Sequence, residues 1–152
     1  AGEDIKFIAR RIIISASEDV GNADPQALTI ATSAFDAVNF VGMPEARIIL
    51  AQAATYIACA PKSNASYIGI DKAIEDIKSI QTGKVPPHLR DSHYKGASNL
   101  GNGDGYLYPH SYASGFVEQQ YLPDNIVGTR YYNPTENGYE KIIKERLDNI
   151  RK

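Results

Sequence analysis

Three histidines, His88, His93 and His110, together with Asp91, come nearest in type to a metal site. In HLRDSH the two imidazoles stand five residues apart, whereas placing two on one helical face takes a spacing of about four. Imidazoles bonding to loop carbonyls are the simpler reading, and a metal-dependent hydrolase built on these four residues ranks last. The glycines of NLGNGDGY, Asn99 to Tyr106, suggest a phosphate cradle. Such a cradle needs a strand before it and a helix N-terminus after it, and Tyr106-Leu107-Tyr108-Pro109 starts no helix. The glycines are instead expected to supply positive φ for consecutive tight turns. Gly83-Lys84 fails as a Walker loop, because Lys78 occupies the partner-glycine position and Val85 follows.

Ser15, Ser17, Ser63 and Ser66 fall on helical stretches with no nucleophile-elbow pattern. Cys59 lies inside an apolar run and is expected to be buried and inert. Lys84, Arg90 and Lys95, with Tyr94, could touch a nucleic-acid backbone. Asp91 sits among them and the net charge is −2, so a solvated surface is the stronger reading. No catalytic, cofactor-binding or metal-binding residue is assigned, and this chain is not expected to be an enzyme by itself.

The elements that would carry these groups are helical. Ile48 to Ala60, within PEARIILAQAATYIACA, has only Gln52 and Thr55 as strongly polar side chains. A helix that is apolar all round is buried on several sides. Pro44 suits a first helical position and Pro61 ends the run, so this stretch is expected to be the central rod of a bundle. Before it, Ile5, Ile8, Ala9, Ile12, Ile13, Ala16 and Val20 form one stripe from about Asp4 to Val20. A second helix opens at Asp24-Pro25, carries Ala27, Leu28, Ala31, Ala34, Phe35, Val38 and Val41 inward, and closes at Gly42. Ser63 caps a fourth helix, with Tyr67, Ile70, Ala73, Ile74, Ile77 and Ile80 expected inward. Short turns make these four antiparallel neighbours.

From Thr82 to Pro134 no period survives. Five of the eight prolines and seven of the ten tyrosines fall there, which argues for an ordered irregular wrap, since disordered chains lack aromatics. Tyrosines are expected to pin it, with helical turns near Pro87–Arg90 and Val117–Tyr121. A last helix opens at Asn133-Pro134. Tyr139, Ile142, Ile143, Leu147 and Ile150 are expected inward, and Glu140 outward with Lys144. With 152 residues, the whole is read as one all-α domain, a bundle of about five helices. A four-helix core spans 4–81, the wrap 82–133 and the last helix 134–152. A single cysteine rules out disulfide scaffolding. No apolar run reaches the roughly 18 residues a membrane span needs, so the cytoplasm is the expected location. The start, AGEDIKF, lacks an initiator methionine and reads as a cut from a longer chain.

Several stretches together resemble one family. They are FIARRIIISASEDVGNADPQAL (Phe7–Leu28), VGMPEARIILAQAATYIACAPKSNASY (Val41–Tyr67), VPPHLRDSHYKGASNLGNGDGYLYPH (Val85–His110), FVEQQYLPD and TRYYNPTENGYE. They look like the C-terminal domain of the RarA/MgsA family of AAA+ ATPases, the replication-associated recombination proteins related to Werner-helicase-interacting protein. The resemblance covers nearly the whole chain. It implies a parent with an AAA+ module and a helical lid, followed by an all-α collar that mediates homotetramer assembly. The parent would be a DNA-stimulated ATPase acting at stalled replication forks, with DNA and single-strand-binding protein as partners. ATP and Mg2+ would belong to that module, whose Walker and sensor residues have no counterpart here. Residues 1–6 would be the tail of the lid connection.

Assembly also has a signal in the residues themselves. Phe7 and Ile14 lie off the main stripe of the first helix, and Phe116, Tyr121 and Leu122 sit in an otherwise polar wrap. Surplus large apolar groups of this kind plug a bundle or form a subunit interface. The alternative function is a binding module whose tyrosine-rich wrap captures a protein or single-stranded DNA.

Overall fold

In the computed structural model, which describes residues 2–81, 83–93 and 98–150, the first four helices form close to where local signals place them. The five α-helices are α1 (Ile5–Ser15), α2 (Gln26–Val41), α3 (Ala46–Cys59), α4 (Ala65–Ser79) and α5 (Glu140–Ile150), and the described residues contain no strand. The fold is all-α. Asp4 caps α1 by accepting the Lys6 N–H at 2.6 Å. Asp24 takes the Gln26 N–H at 3.1 Å and, on its other oxygen, the Tyr56 hydroxyl at 2.7 Å. One carboxylate thus starts α2 and ties α3 to it. Ala60 turns extended before Pro61, which ends α3.

The chain divides into two compact units, one of Ala1–Lys72 with Tyr131–Lys152 and one of Ala73–Arg130. In the first, packing concentrates on α1, α2 and α3. Ala16, Val20, Ala27, Ala31 and Ile57 form one buried cluster; Ala9, Val38, Ala46 and Leu50 form the other. Alanines at the contact lines let the helices approach closely. The larger side chains, Ile5, Ile8, Ile12, Phe35 and Ile49, pack half-buried around them.

Several expected burials are not found. α3 is not a rod enclosed on every side: it buries one seam, Ala46, Leu50, Ala53 and Ile57, and leaves Ile48 58% exposed, with Ala51, Ala54 and Ala58 also open. Three helices close their core with one seam each, so the fourth is not needed to complete it. The four-helix core expected over 4–81 is accordingly a three-helix core. On α4 only Ala65 and Gly69 are buried; Tyr67, Ile70, Ile74, Ile77 and Ile80 are exposed, the reverse of the expected face. Gly69 lets the chain pass close by, since a Cβ there would stand 2.9 Å from the Tyr131 carbonyl oxygen. Leu28 and Val41 of α2 are likewise exposed.

The last helix begins at Glu140, six residues beyond Pro134, and faces differently than expected. Tyr139 and Ile142 are exposed, while Glu140 is wholly buried. Its Oε2 accepts the Ser63 hydroxyl at 2.7 Å, the Thr135 N–H at 2.7 Å and the Thr135 hydroxyl at 2.8 Å; its Oε1 accepts the Tyr132 hydroxyl at 2.9 Å. Four donors satisfy a carboxylate that burial would otherwise penalise. Lys144, freed from the expected pairing, reaches Glu136 instead.

In the second unit α4 runs out into an irregular chain with short 3-10 turns at Pro87–Leu89, Pro109–Ser111 and Asp124–Ile126. The first falls where expected; Val117–Tyr121 is not helical. Side-chain amides pin this segment, joined by the Tyr121 hydroxyl, which donates to the Val117 carbonyl at 3.5 Å. Gln119 accepts the Leu107 N–H at 3.2 Å and donates to the Leu107 carbonyl at 3.0 Å. Asn125 accepts the Gly83 N–H at 2.9 Å and donates to the Gln81 carbonyl. Tyr106, Tyr108, Tyr112 and Tyr121 are exposed.

Candidate assembly surface

Phe7 and Ile14, seven residues apart, fall on one side of α1 because two helical turns bring them back to nearly the same azimuth. The structure brings them together at a hollow of 630 Å³ between α1 and α2, with Ile13 and Phe35 completing its apolar lining. Phe7 is 46% exposed and Ile14 half-buried. Glu3, Asp4, Lys6 and Arg10 stand around the hollow. Phe7 also borders a second hollow of 460 Å³ along α1 and α3, where Ile8, Ile12, Ala54, Ile57 and Ala58 supply apolar surface.

The sequence reading did not single out one further exposed apolar side chain. Phe40, near the end of α2, is 93% exposed, and Val41 and Met43, close to it in the chain, and Ile48 of α3 are exposed as well. It could have been found by the criterion that picks out Phe7 and Ile14, since it stands off the buried stripe Ala27, Ala31, Ala34 and Val38.

Phe116, Tyr121 and Leu122 lie in the second unit. Tyr121 and Leu122 share a hollow of 290 Å³ with Val127 and Arg130, and Phe116 is exposed elsewhere. The Tyr121 hydroxyl accepts from the Gln119 amide at 3.1 Å.

The groups considered for chemistry are engaged locally. His88 Nε2 donates to the Gln120 carbonyl at 2.8 Å, which fixes the tautomer. Asp91 accepts the His93 backbone N–H and the His93 ring Nδ1, each at 2.9 Å, and these contacts hold its carboxyl below the usual aspartate value. The His110 ring lies 5.1 Å from that of Tyr108. Among the described residues no three His, Cys, Asp or Glu side chains gather as metal ligands would. Gly101, Gly103 and Gly105 have φ of +68°, +76° and +77°, the turn geometry expected of them. Ser15 donates to Asp19 at 2.5 Å, Ser63 to Glu140 at 2.7 Å, and Ser66 accepts from Asn22 at 3.2 Å. Arg90 Nε is spent on the Val85 carbonyl at 2.7 Å. Cys59 is exposed rather than buried, because it falls on the open flank of α3. Tyr94 and Lys95 lie outside the described residues. Among the described residues no helix is long and apolar enough to cross a membrane.

Comparison with known proteins gives these surfaces a family. Residues 1–151 match the family described as MgsA AAA+ ATPase C terminal. The chain is 52% identical over 151 residues to an uncharacterized AAA domain-containing protein of Mycobacterium tuberculosis, covering 99% of this chain and 33% of that protein. It is 46% identical to replication-associated recombination protein A of Bacillus subtilis, covering 98% of this chain and 36% of the relative. Against the Escherichia coli protein of the same name identity is 43%, over 97% and 33%. The chain thus spans about a third of the length of the curated relatives it matches, and it belongs to the C-terminal domain family of the MgsA (RarA) AAA+ ATPases.

Proposed function

We propose that this chain is the self-associating collar of a AAA+ ATPase that works in replication-associated recombination, and that it assembles as a homotetramer. The observation that carries the reading is apolar surface left uncovered by the chain's own packing: Phe40, Ile48, Ile70, Ile77 and Ile142 are all more than half exposed. Two-fold contacts are the commonest unit of symmetric assemblies, so a dimer of dimers is the simplest tetramer.

In this reading the chain performs no reaction. ATP, Mg2+, DNA and single-strand-binding protein engage the parent through parts outside this segment, in the cytoplasm. Sedimentation velocity on the chain tests it: the expected result is a concentration-dependent shift to a four-copy species, and a monomer at high concentration would overturn it.

Exposed Tyr106, Tyr108, Tyr112 and Tyr121 favour a second reading, capture of single-stranded DNA by base stacking. The Ala73–Arg130 unit carries five basic and six acidic side chains, which gives a polyanion no net attraction. A titration with a labelled oligonucleotide separates the two, since a collar alone shows no salt-dependent binding.

A further inference from the structure

We infer that the Ala73–Arg130 unit is an insertion that opens on its own, while Ala1–Lys72 and Tyr131–Lys152 stay folded together as one body. The chain leaves the first unit at Lys72 and re-enters it at Tyr131. These two positions are neighbours: the Lys72 ammonium stands 6.0 Å from the centre of the Tyr131 ring. One turn earlier, a Cβ on Gly69 would stand 2.9 Å from the Tyr131 carbonyl oxygen. The intervening residues thus begin and end at one place. Closure entropy grows only with the logarithm of length, so a long insertion is tolerated at such a point.

The first unit supplies its own core and its own fastenings. Both buried clusters and the hydrophobics packed against them come from residues between Ile5 and Ala60. The returning segment is bonded directly to residues that precede the insertion. Tyr139 N–H donates to the Ala23 carbonyl at 2.8 Å, the Asn137 amide to the Lys62 carbonyl at 2.8 Å, and the Ser63 hydroxyl to Glu140 at 2.7 Å. None of the three attachments runs through the insertion. The second unit is held differently. Among its described residues only Pro86 and Val117 are buried, and its long-range ties are exposed polar ones, from Gln119, Asn125 and His88. Segments with little buried apolar surface and solvent-exposed hydrogen bonds open before the global transition.

Limited trypsin digestion of the full chain tests this, read by mass spectrometry, gel filtration and circular dichroism. First cuts are expected within the insertion, at Lys78, Lys84 or Arg90. The fragment that starts at Ala1 and the one that ends at Lys152 should then elute together with most of the helical signal, and separate only in urea. First cuts in α1–α3, or end fragments that part without denaturant, would overturn the inference. Hydrogen exchange on the intact chain gives a second readout. Gln119→Ala with Asn125→Ala is expected to speed exchange of the Gly103 and Ile126 amides about tenfold and to leave those of α1–α3 unchanged. Equal acceleration in both units would show one cooperative body and overturn it as well.

Discussion

The Ser63 hydroxyl donates to the Glu140 carboxylate at 2.7 Å across 77 residues of sequence. The same hydroxyl accepts the Ala65 N–H at 3.2 Å, so one side chain caps α4 and anchors α5. Glu140 in turn gathers Thr135 and Tyr132, and Tyr132 meets the Asn22 amide at 3.3 Å. Three sequence-distant turns are thereby fastened at one buried carboxylate. Glu140→Gln keeps the shape but replaces one accepting oxygen with a donor that faces other donors. It is expected to cost about 2 kcal/mol, read as a lower urea midpoint at unchanged slope.

Acid should act through the same group. Burial pushes the Glu140 carboxyl up, but the Ser63, Thr135 and Tyr132 donors outweigh it and hold the group below the ordinary 4.5. A carboxyl with a folded pKa below its unfolded one adds stability above the unfolded value and loses it as pH falls through the folded value. Urea midpoints should therefore be flat from about pH 7 to 5 and fall below that. The fall should be shallower in Glu140→Gln, and a residual slope should persist because Glu136, beside Lys144, is held low as well.

Gly138 has φ of +52°, and a Cβ there would run into the Ala23 carbonyl oxygen, the same oxygen that accepts the Tyr139 N–H at 2.8 Å. Gly42 also has positive φ, +73°, with open space where a Cβ would stand. Gly42→Ala should cost about 1–2 kcal/mol from backbone strain alone. Gly138→Ala should cost more than twice that, because backbone must also move. Thermal melts of the two variants side by side check the order.

Leu50 and Ile77 belong to faces that look alike in sequence, yet the first is 8% exposed and the second 66%. Leu50→Ala is expected to lose about 2–4 kcal/mol through a cavity in the α1–α3 core. Ile77→Ser, measured at low protein concentration, should stay within about 0.5 kcal/mol of the parent. A concentration-dependent difference for Ile77→Ser would mark that face as covered in the assembly.

Sequence alone determined closely where the first four helices start and stop, because those signals act within one turn, whereas the last starts six residues beyond Pro134. Asp4 and Asp24 offer oxygens to N–H groups two residues on, and Pro61 forbids helical geometry just before it. It also separated Phe7 and Ile14 from the main stripe of α1, and the structure places both at one hollow. Tertiary structure alone decided which apolar faces the chain covers for itself. Ile48 and Ile57 sit on the same helix and are equally apolar, but only Ile57 meets the α1–α2 seam. Glu140 reads by type as a solvated residue and is instead wholly buried, since its four donors come from Ser63, Tyr132 and Thr135 and are assembled only by folding. Hydropathy records how much a side chain gains by leaving water; the position of the remaining chain decides whether its own neighbours supply the cover.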